Sequence, residues 1–256
     1  MEVKIPNKKM KKKASILFVH EAGHAAWCWR DHFTGWFEAL GYTVAAPDLP
    51  HHGDLNRDGL KFTPLSAYVD AVAQEPVRLE PPLILIGHSM GGFIIQKYLE
   101  RAEADLAVLV ASTPPTDAFG MVKRMATRRP VAFFNTMRTG NGTDSPARTQ
   151  DYFFNPETPA DVVNRCHQRL QPESMRVMMD MMSSLHPERV RTPVVVIGAE
   201  GDWLVAPPND LETTAHAYHT TPLILPGGHT MMLDTAWEQV AREIENAIVE
   251  RVPIGG

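Results

Sequence analysis

Short apolar runs alternate with amphipathic stretches along most of the chain. Six runs predict β-strands, at residues 16–19, 42–46, 83–86, 106–111, 194–197 and 223–225. The run 83–86 is apolar at every position, which is typical of a strand buried on both faces of a parallel sheet. Helical patterns occupy residues 29–40, 63–79, 90–101 and 235–251. The alternation predicts an α/β fold, with a mostly parallel sheet of about six or more strands and helices on both faces.

The alternation breaks once, between residues 113 and 193, where no strong strand pattern occurs. Within this stretch four methionines recur at the i, i+3, i+4 and i+7 spacing of one helix face, namely Met175, Met178, Met179 and Met182. We therefore expect residues 117–189 to form a helical cap, inserted into a single domain of residues 1–256. No internal repeat or low-complexity tract indicates a further unit.

Composition and charge exclude several classes of protein. The 256 residues carry 25 Lys+Arg and 30 Asp+Glu, for a net charge of −5, and 44% of them are hydrophobic. These values are those of an ordinary soluble globular protein. The mild acidity gives no reason to expect a nucleic-acid partner. No apolar run reaches the length of a membrane span, and no pattern indicates an oligomeric state.

The N-terminal segment and the cysteines bear on the compartment. Six lysines precede residue 14, and the apolar run that follows them ends at His20. That run is too short for the core of a signal peptide, so we expect a solvated arm and a cytoplasmic protein. The two cysteines, Cys28 and Cys166, are too few for a disulfide framework and lack metal-site spacing. We expect both to be reduced.

The strongest chemical motif is Gly87-His88-Ser89-Met90-Gly91, which fits the pattern G-x-S-x-G. It begins where the strand pattern 83–86 ends, and it opens a helical pattern, as a nucleophile elbow must. Gly87 and Gly91 remove Cβ atoms where strand and helix approach each other. The pattern therefore predicts Ser89 as a nucleophile at the carboxyl edge of the sheet.

A serine hydroxyl needs a base, and the base needs an orienting acid. His229 follows the last predicted strand through Gly227 and Gly228, at the same sheet edge as Ser89. Asp202 follows the strand 194–197 and is our choice for the acid, with Glu200 in the same loop as its main rival and Asp117 as a third alternative. The chain order Ser89, Asp202, His229 is the order expected for a nucleophile-elbow enzyme.

An oxyanion formed on a substrate carbonyl needs two hydrogen-bond donors that are already in place. The backbone N–H of Met90 is one candidate, because it follows the nucleophile at the start of a helix. The second should come from the loop after the first strand, and we choose the N–H of Ala22.

These motifs together resemble the α/β-hydrolase superfamily, in its small serine-esterase or lysophospholipase-like branch. The matching stretches are residues 19–27, 47–53, 87–92, 198–202 and 227–229, in order along nearly the whole chain. The resemblance implies a serine hydrolase that needs no metal or organic cofactor, with the cap as its specificity element. Serine at the elbow argues against the dehalogenase and epoxide-hydrolase branches, which use aspartate there.

The chain departs from the family pattern at two places, and from one branch of the family at a third. The family usually has His-Gly where this chain has His20-Glu21. A carboxylate that pointed into the site there would disfavour a negatively charged transition state. We therefore expect the Glu21 side chain to point away from the site. The family commonly has Gly-His-Gly after the second matching strand, and here His51 replaces the first glycine. His51 and His52 could suggest a metal pair, but no third ligand with recognisable spacing accompanies them. We expect this segment to be a surface loop beside the site. The cyanohydrin-lyase branch has a lysine at the position of Thr230, so lyase activity is disfavoured.

Five side chains are predicted to line the substrate pocket: His24, Trp27, Trp203, Met178 and Met182. The alternative for the methionines is packing on the sheet, and for Trp27 it is anchoring of the first helix. Residues 117–191 carry 11 Lys+Arg and 8 Asp+Glu, an excess of three positive charges. That excess could favour anionic substrates, or it could be solvated surface arginine.

The function expected from these observations is hydrolysis of small to medium carboxylic esters through an acyl-enzyme on Ser89. The partner is then a small-molecule ester. A thioesterase or a carbon–carbon bond hydrolase could use the same three residues, as could an amidase or a cofactor-free perhydrolase. A different class of protein, a non-catalytic ligand-binding protein on the same fold, also stays open.

Overall fold

A computed structural model describes residues 13–115, 118–139, 143–183 and 185–253. Most of the lysine-rich arm lies outside the described residues, as does Asp117. Six strands form one sheet in the order β2-β1-β3-β4-β5-β6, and every neighbouring pair is parallel. The strands are β1 Ser15–Val19, β2 Thr43–Ala45, β3 Leu83–His88, β4 Leu106–Val110, β5 Val194–Ala199 and β6 Leu223–Leu225.

Burial along the strands follows their position in the sheet. Every residue of β1, β4 and β5 is buried, whereas the edge strand β2 is half-buried throughout and the edge strand β6 goes from exposed to buried along its three residues. A parallel strand covered on both faces needs apolar side chains at every position, which is the pattern that the sequence shows. The predicted α/β class and all six predicted strands are confirmed.

Eleven α-helices occur within the described residues. They are α1 Trp27–Arg30, α2 Phe33–Ala39, α3 Leu65–Gln74, α4 Met90–Leu99, α5 Ala118–Arg128, α6 Pro130–Thr139, α7 Pro146–Phe153, α8 Ala160–Arg169, α9 Met175–Asp180, α10 Pro208–Ala217 and α11 Trp237–Arg251. Across the helices of these residues, none combines the length and apolar character needed to span a bilayer.

Two predicted helices are shorter than their patterns. The stretch 29–40 forms α1 and α2, which are separated at Asp31 and at His32, whose φ of −136° is not helical. The stretch 63–79 gives α3, which ends at Gln74 and is followed by a 3-10 turn, Pro76–Arg78. Proline has no N–H for the α-helical ladder, so Pro76 tightens the chain into a different turn. The helix α10 has no counterpart among the predicted helical patterns.

The strand order places a crevice at the carboxyl end of the sheet. The chain runs from β1 to β2 on one side and then to β3 on the other side of β1. Loops that leave β1 and β3 therefore diverge, and such a switch point is where open α/β sheets bind ligands. The loop with Glu21 and Ala22 follows β1, and Ser89 follows β3.

The helices α5 to α9 fill the segment between β4 and β5. The two strands nevertheless pair directly, with Ala107 opposite Val194 and Val110 opposite Ile197. The whole segment is therefore an insertion between neighbouring strands, at the place where the sequence predicts a helical cap.

Candidate active site

Ser89 lies on a sharp turn between β3 and α4. Its φ of 52° and ψ of −117° are unusual for a residue with a side chain, and such backbone strain persists only where the surroundings impose it. A Cβ atom on Gly91 would lie 2.2 Å from the Val19 carbonyl oxygen, and one on Gly87 would lie 2.6 Å from that of Gly91. Glycine at both positions therefore lets the elbow pack against the loop after β1.

His229 and Asp202 are joined by a hydrogen bond. Nδ1 of His229 lies 2.6 Å from Oδ2 of Asp202, and both side chains are buried. The Asp202 carboxylate also accepts three backbone N–H bonds, from Leu204, Val205 and Ala206, over 3.0–3.1 Å. Burial opposes the charged carboxylate, but His229 and these donors hold the pKa of Asp202 below its ordinary value.

The rival acids do not occupy this position. Glu200 is exposed, and Asp117 lies outside the described residues. The structure thus brings Asp202 to His229, and it places His229 and Ser89 on the wall of one cavity.

The loop that carries His229 is held from two sides. Nε2 of His88 donates to the His229 carbonyl oxygen over 2.8 Å. The N–H of Thr230 donates to the carbonyl oxygen of Phe153 over 2.8 Å. Since Phe153 belongs to α7, the inserted helices contribute to the position of His229.

The two predicted oxyanion donors lie at the same cavity. Ala22 and Met90 both line it, together with Ser89 and His229. Met90 is the first residue of α4, and the first N–H groups of a helix have no intrahelical acceptor. Gly23 follows Ala22 with a φ of +71°, and its N–H donates to Oε2 of Glu173 over 3.2 Å. A positive φ favours glycine, so this turn shapes the loop that carries the predicted oxyanion donor Ala22.

Glu21 points into the site, and the expectation that it points away is wrong. Its carboxylate is 2% exposed, with Oε2 3.5 Å from Nε2 of His229 and Oε1 3.1 Å from Nδ1 of His88. The hydroxyl of Thr230 donates to Oε1 of Glu21 over 3.3 Å, and Nδ1 of His24 lies 3.5 Å from the same oxygen. Partners contributed by distant parts of the chain draw the side chain inward, which its local sequence does not reveal.

His229 therefore lies between two carboxylates. Burial disfavours its charged form, but Asp202 at Nδ1 and Glu21 at Nε2 raise the pKa of His229 to about 10. Burial likewise opposes the charge on Glu21, while His24, His88 and His229 hold the pKa of that carboxyl well below its usual range. The imidazolium and the Glu21 carboxylate stabilise each other.

The same cluster contains atoms that could ligate a metal ion. Glu21, His88 and His229 each offer one ligand atom, and these atoms lie within 4.8 Å of one another. Each histidine donates its other ring N–H, to a carbonyl in one case and to a carboxylate in the other.

The cavity beside Ser89 measures about 140 Å³. Its walls are largely apolar, and five methionines of the inserted segment contribute to them: Met121, Met125, Met175, Met178 and Met181. Methionine is flexible and polarizable, so this wall can adapt to different apolar groups. The charged carboxylates on the wall are Glu21 and Glu173, and among the described lining residues there is neither lysine nor arginine. The lining gives no support to a preference for anionic substrates.

Met178 is the only one of the five predicted pocket residues that lines this cavity. Met182 lies beyond the end of α9 and is 44% exposed, because the helix is shorter than its methionine pattern. Trp203 turns toward the surface: its Nε1 donates to the carbonyl oxygen of Asp151 over 2.7 Å, and the Arg129 guanidinium lies 5.4 Å from its ring.

His24 and Trp27 pack behind the loop that carries Ala22, the predicted oxyanion donor. Nδ1 of His24 donates to the carbonyl oxygen of Ala22 over 3.1 Å, and its ring lies 5.0 Å from that of Trp27. The Trp27 ring in turn packs under the guanidinium of Arg169, 4.0 Å from its carbon. Both side chains are thus used in packing and do not reach the cavity.

Sequence reasoning missed a buried polar cluster around Glu173. The carboxylate accepts hydrogen bonds from the Tyr68 hydroxyl over 2.8 Å and from the Ser174 N–H over 2.6 Å, and Nε2 of His52 lies 3.2 Å away. His52 is fully buried, so the prediction that it lies in a surface loop is wrong. Its partner is more than a hundred positions away, and no local pattern reveals it.

Comparison with known proteins gives one family and several relatives. A model of the alpha/beta hydrolase family matches residues 16–243. The chain is 30% identical over 173 residues to norfluorocurarine synthase 2 from a Strychnos species, a match that covers 63% of this chain and 59% of that protein. It is 28% identical over 186 residues to methyl jasmonate esterase 1 from Vitis vinifera, which covers 67% of each. The first match thus spans less than two thirds of the relative's length.

A solved structure resembles the fold over nearly the whole chain. The crystal structure of a methylesterase protein from Arabidopsis superposes with a TM-score of 0.70 and 21% sequence identity. The superposition covers 93% of this chain and 99% of that one. The likeness shows that the two proteins share a fold.

Proposed function

Because this chain belongs to the alpha/beta hydrolase family, we propose that it is a serine hydrolase that cleaves small to medium carboxylic esters. The observation that carries the proposal is the 2.6 Å hydrogen bond between His229 and Asp202, on the cavity that Ser89 also lines. A nucleophile on a strained elbow, a base and a buried orienting acid are the parts that acyl transfer requires.

The reaction follows from the placement of these groups. Ser89 Oγ attacks the carbonyl carbon of the ester while its proton passes to Nε2 of neutral His229. The N–H groups of Ala22 and Met90 stabilise the oxyanion. The tetrahedral intermediate collapses, and His229 protonates the leaving alcohol as the acyl-enzyme forms. Water then attacks the acyl-enzyme with His229 again as the base, which releases the carboxylic acid and restores the Ser89 hydroxyl. The ester and water are the only reactants consumed.

The cavity and the similar proteins narrow the range of candidate substrates. An opening of about 140 Å³ with apolar walls suits a short or medium acyl chain. Two of the similar proteins are named methyl jasmonate esterase and methylesterase, so methyl esters belong in the substrate panel. A reducing compartment such as the cytoplasm is part of the proposal, since Cys28 and Cys166 are both free.

The test is a panel of p-nitrophenyl esters from acetyl to palmitoyl, run with wild type and Ser89→Ala together with a set of methyl esters. We expect turnover that Ser89→Ala reduces by several orders of magnitude, because the three residues act as a unit. Equal rates in both proteins would refute Ser89 as the nucleophile. A Ser89-dependent burst with thioesters or carbon–carbon substrates alone would refute the ester assignment.

A further inference from the structure

The carboxylate of Glu21 brings two imidazole nitrogens together beside the cavity. Its Oε1 lies 3.1 Å from Nδ1 of His88, and its Oε2 lies 3.5 Å from Nε2 of His229. One ligand atom from each of the three residues lies within 4.8 Å of the others. The ligand atoms of a tetrahedral zinc site, at about 2.0–2.1 Å from the ion, are roughly 3.3–3.5 Å apart. The spacing of the three side chains is therefore close to the spacing that such an ion requires.

Nδ1 of His88 is a buried nitrogen that the fold leaves unpaired. Nε2–H of the same ring donates to the His229 carbonyl oxygen over 2.8 Å, so Nδ1 carries a lone pair. Among the described residues Nδ1 has no hydrogen-bond partner, although Oε1 of Glu21 is near it. A lone pair that faces a buried carboxylate is repelled by it, and a cation between the two removes the repulsion.

Both imidazoles are held as metal-binding histidines are held. Nδ1–H of His229 donates to Asp202 over 2.6 Å, and Nε2–H of His88 donates to a backbone carbonyl. The hydroxyl of Thr230 donates to Oε1 of Glu21. Histidine ligands usually donate their second N–H to a carboxylate or a carbonyl, which fixes the ring and its tautomer. The outer hydrogen bonds of this cluster thus orient the free nitrogens toward one point.

A single proton does not satisfy this cluster. A proton between Nε2 of His229 and Oε2 of Glu21 leaves the lone pair of His88 facing Oε1. A proton on Nδ1 of His88 leaves the lone pair of His229 facing Oε2. A divalent cation accepts an electron pair from all three groups at once. Two histidines and one glutamate bind zinc in enzymes that keep a further position open, and Glu21 and His229 line the cavity, which gives an ion and water a path to the cluster.

We propose that Glu21, His88 and His229 form a binding site for a divalent transition-metal ion such as Zn²⁺, and that the bound ion inhibits the proposed hydrolase. The ion occupies Nε2 of His229, so the proton of Ser89 has no acceptor. Any proton held between His229 and Glu21 is released to water as the ion binds. The inhibition rests on the proposed function, whereas the binding of the ion does not.

The first test adds Zn²⁺ to protein that has been dialysed against EDTA and then against buffer. Calorimetry measures binding, and hydrolysis of p-nitrophenyl acetate measures inhibition. We expect one ion per chain at this site, inhibition that follows its occupancy, and recovery of activity with EDTA. Glu21→Gln removes the charged ligand. His88→Gln removes the Nδ1 ligand and keeps a donor for the His229 carbonyl. Each should weaken the affinity at least about a hundredfold, more than the loss of an outer hydrogen bond.

The matched control is His186→Asn. It removes an exposed histidine whose Nδ1 lies 2.9 Å from a Glu188 carboxylate oxygen, and it should change neither affinity nor inhibition. Equal loss of affinity in His186→Asn would place the ion on the surface and refute the proposal. Unchanged affinity in both Glu21→Gln and His88→Gln would refute it as well.

A second measurement needs neither a variant nor turnover. X-ray absorption at the zinc edge of the loaded wild-type protein counts the ligands, and we expect two imidazoles and a carboxylate oxygen. A sulfur ligand would place the ion at Cys166, whose Sγ lies 3.5 Å from Nε2 of His24, and fewer than two imidazoles would indicate adventitious surface binding. Either result refutes the site, as does the absence of binding.

The two measurements together separate this inference from the proposed function. The expected ligand set without turnover of any ester, in protein with or without Zn²⁺, supports the metal site and refutes the ester hydrolase. Ester turnover that continues at full rate with the site occupied refutes the inhibition. Turnover that EDTA abolishes and Zn²⁺ restores would make the ion a cofactor and overturn its assignment as an inhibitor.

Discussion

The backbone N–H of Gly23 donates a hydrogen bond to the carboxylate of Glu173 over 3.2 Å. Gly23 follows the proposed oxyanion donor Ala22, and Glu173 lies just before α9 in the inserted segment. The bond therefore ties the geometry of the oxyanion loop to the segment that covers it.

Removing this carboxylate should affect both stability and rate. Glu173→Ala leaves Gly23 N–H, Tyr68 hydroxyl and His52 without their buried partner, which should cost about 3–5 kcal/mol of unfolding free energy. The loop that carries Ala22 should also lose its support, so we expect a larger decrease in kcat than change in KM. Urea unfolding measures the change in stability, and steady-state kinetics measure the change in rate. Glu173→Gln is the control, because it keeps a hydrogen-bond acceptor. Equal stability of wild type and Glu173→Ala would contradict the prediction.

The pair of His52 and Glu173 should make stability depend on pH. Burial opposes both charges, but the partners raise the pKa of His52 above 6.5 and lower the pKa of Glu173 below 4.5. The histidine contribution is complete below pH 6.5 and is lost as pH rises through its raised pKa. The glutamate contribution is complete above pH 4.5 and is lost as pH falls through its lowered pKa.

The stability difference between wild type and His52→Asn should consequently be largest between pH 4.5 and 6.5. It should shrink as the pH rises through the raised pKa of His52, above which the imidazole is neutral in the folded as well as in the unfolded protein. Denaturant titrations at pH 5.5 and pH 9 measure it. A difference that does not change between these two values would show that the pair contributes no charge interaction.

Asp202→Asn should reduce kcat about 10⁴-fold with a small effect on KM. The new amide can still accept bonds from the N–H groups of Leu204 and Val205, but its NH₂ group would face Nδ1 of His229 and favour the wrong tautomer. Thermal unfolding should move to a lower temperature as well, because the NH₂ group would also face the N–H of Ala206, which loses its acceptor. Glu200→Gln, on the same loop but exposed, should keep full activity. A loss of less than tenfold in Asp202→Asn would remove Asp202 from its proposed role.

Met178→Ala should move the preference of the protein toward longer acyl chains. Met178 lines the cavity, so its truncation enlarges a space of about 140 Å³. Met179 is the next residue of α9 but is 68% exposed, and Met179→Ala should leave the chain-length profile unchanged. The p-nitrophenyl ester panel measures both profiles. The same shift in both variants would indicate a general loosening of α9 and not a change in cavity size.

Gly91→Ala should destabilise the protein by about 1–3 kcal/mol, since it adds atoms to a fully packed contact. The new Cβ would lie 2.2 Å from the Val19 carbonyl oxygen and 2.7 Å from that of His20, and both are backbone atoms. Gly35→Ala is the control in α2, where nothing lies within 4 Å, and it should stabilise the protein by about 0.5–1 kcal/mol. Thermal unfolding of the two variants tests this. Equal effects would show that crowding at the elbow is not what requires Gly91.

The sheet and the elbow could be predicted because their signals are local. A buried parallel strand needs an unbroken apolar run, and Leu83 to Ile86 provides one that leads directly to Gly87 and Ser89. His229 and Asp202 could be chosen because each follows a strand at one common edge. These signals depend on the periodicity and the order of residues along the chain, and both can be read from the sequence.

The directions of loop side chains could not be predicted in the same way. Glu21 turns inward because His88, His229 and Thr230 surround it, and those residues are 67 or more positions away. Trp203 lies close to Asp202 in sequence but faces outward, since its indole N–H finds the Asp151 carbonyl. Such choices depend on which partners the fold brings near, and a pattern of residue types does not contain that information.

The direct pairing of β4 with β5 has a consequence for how proteins of this design can change. Ala107 lies opposite Val194 although the two are separated by five helices along the chain. Because the two strands run parallel, the inserted segment leaves β4 at the carboxyl edge of the sheet and returns to β5 at the amino edge, and the hydrogen bonds between the strands do not depend on what lies between them. The segment is an exchangeable cassette: a different run of helices can be spliced in between the same two strands, which gives the cavity a new wall while Ser89, Asp202 and His229 keep their supports on the sheet.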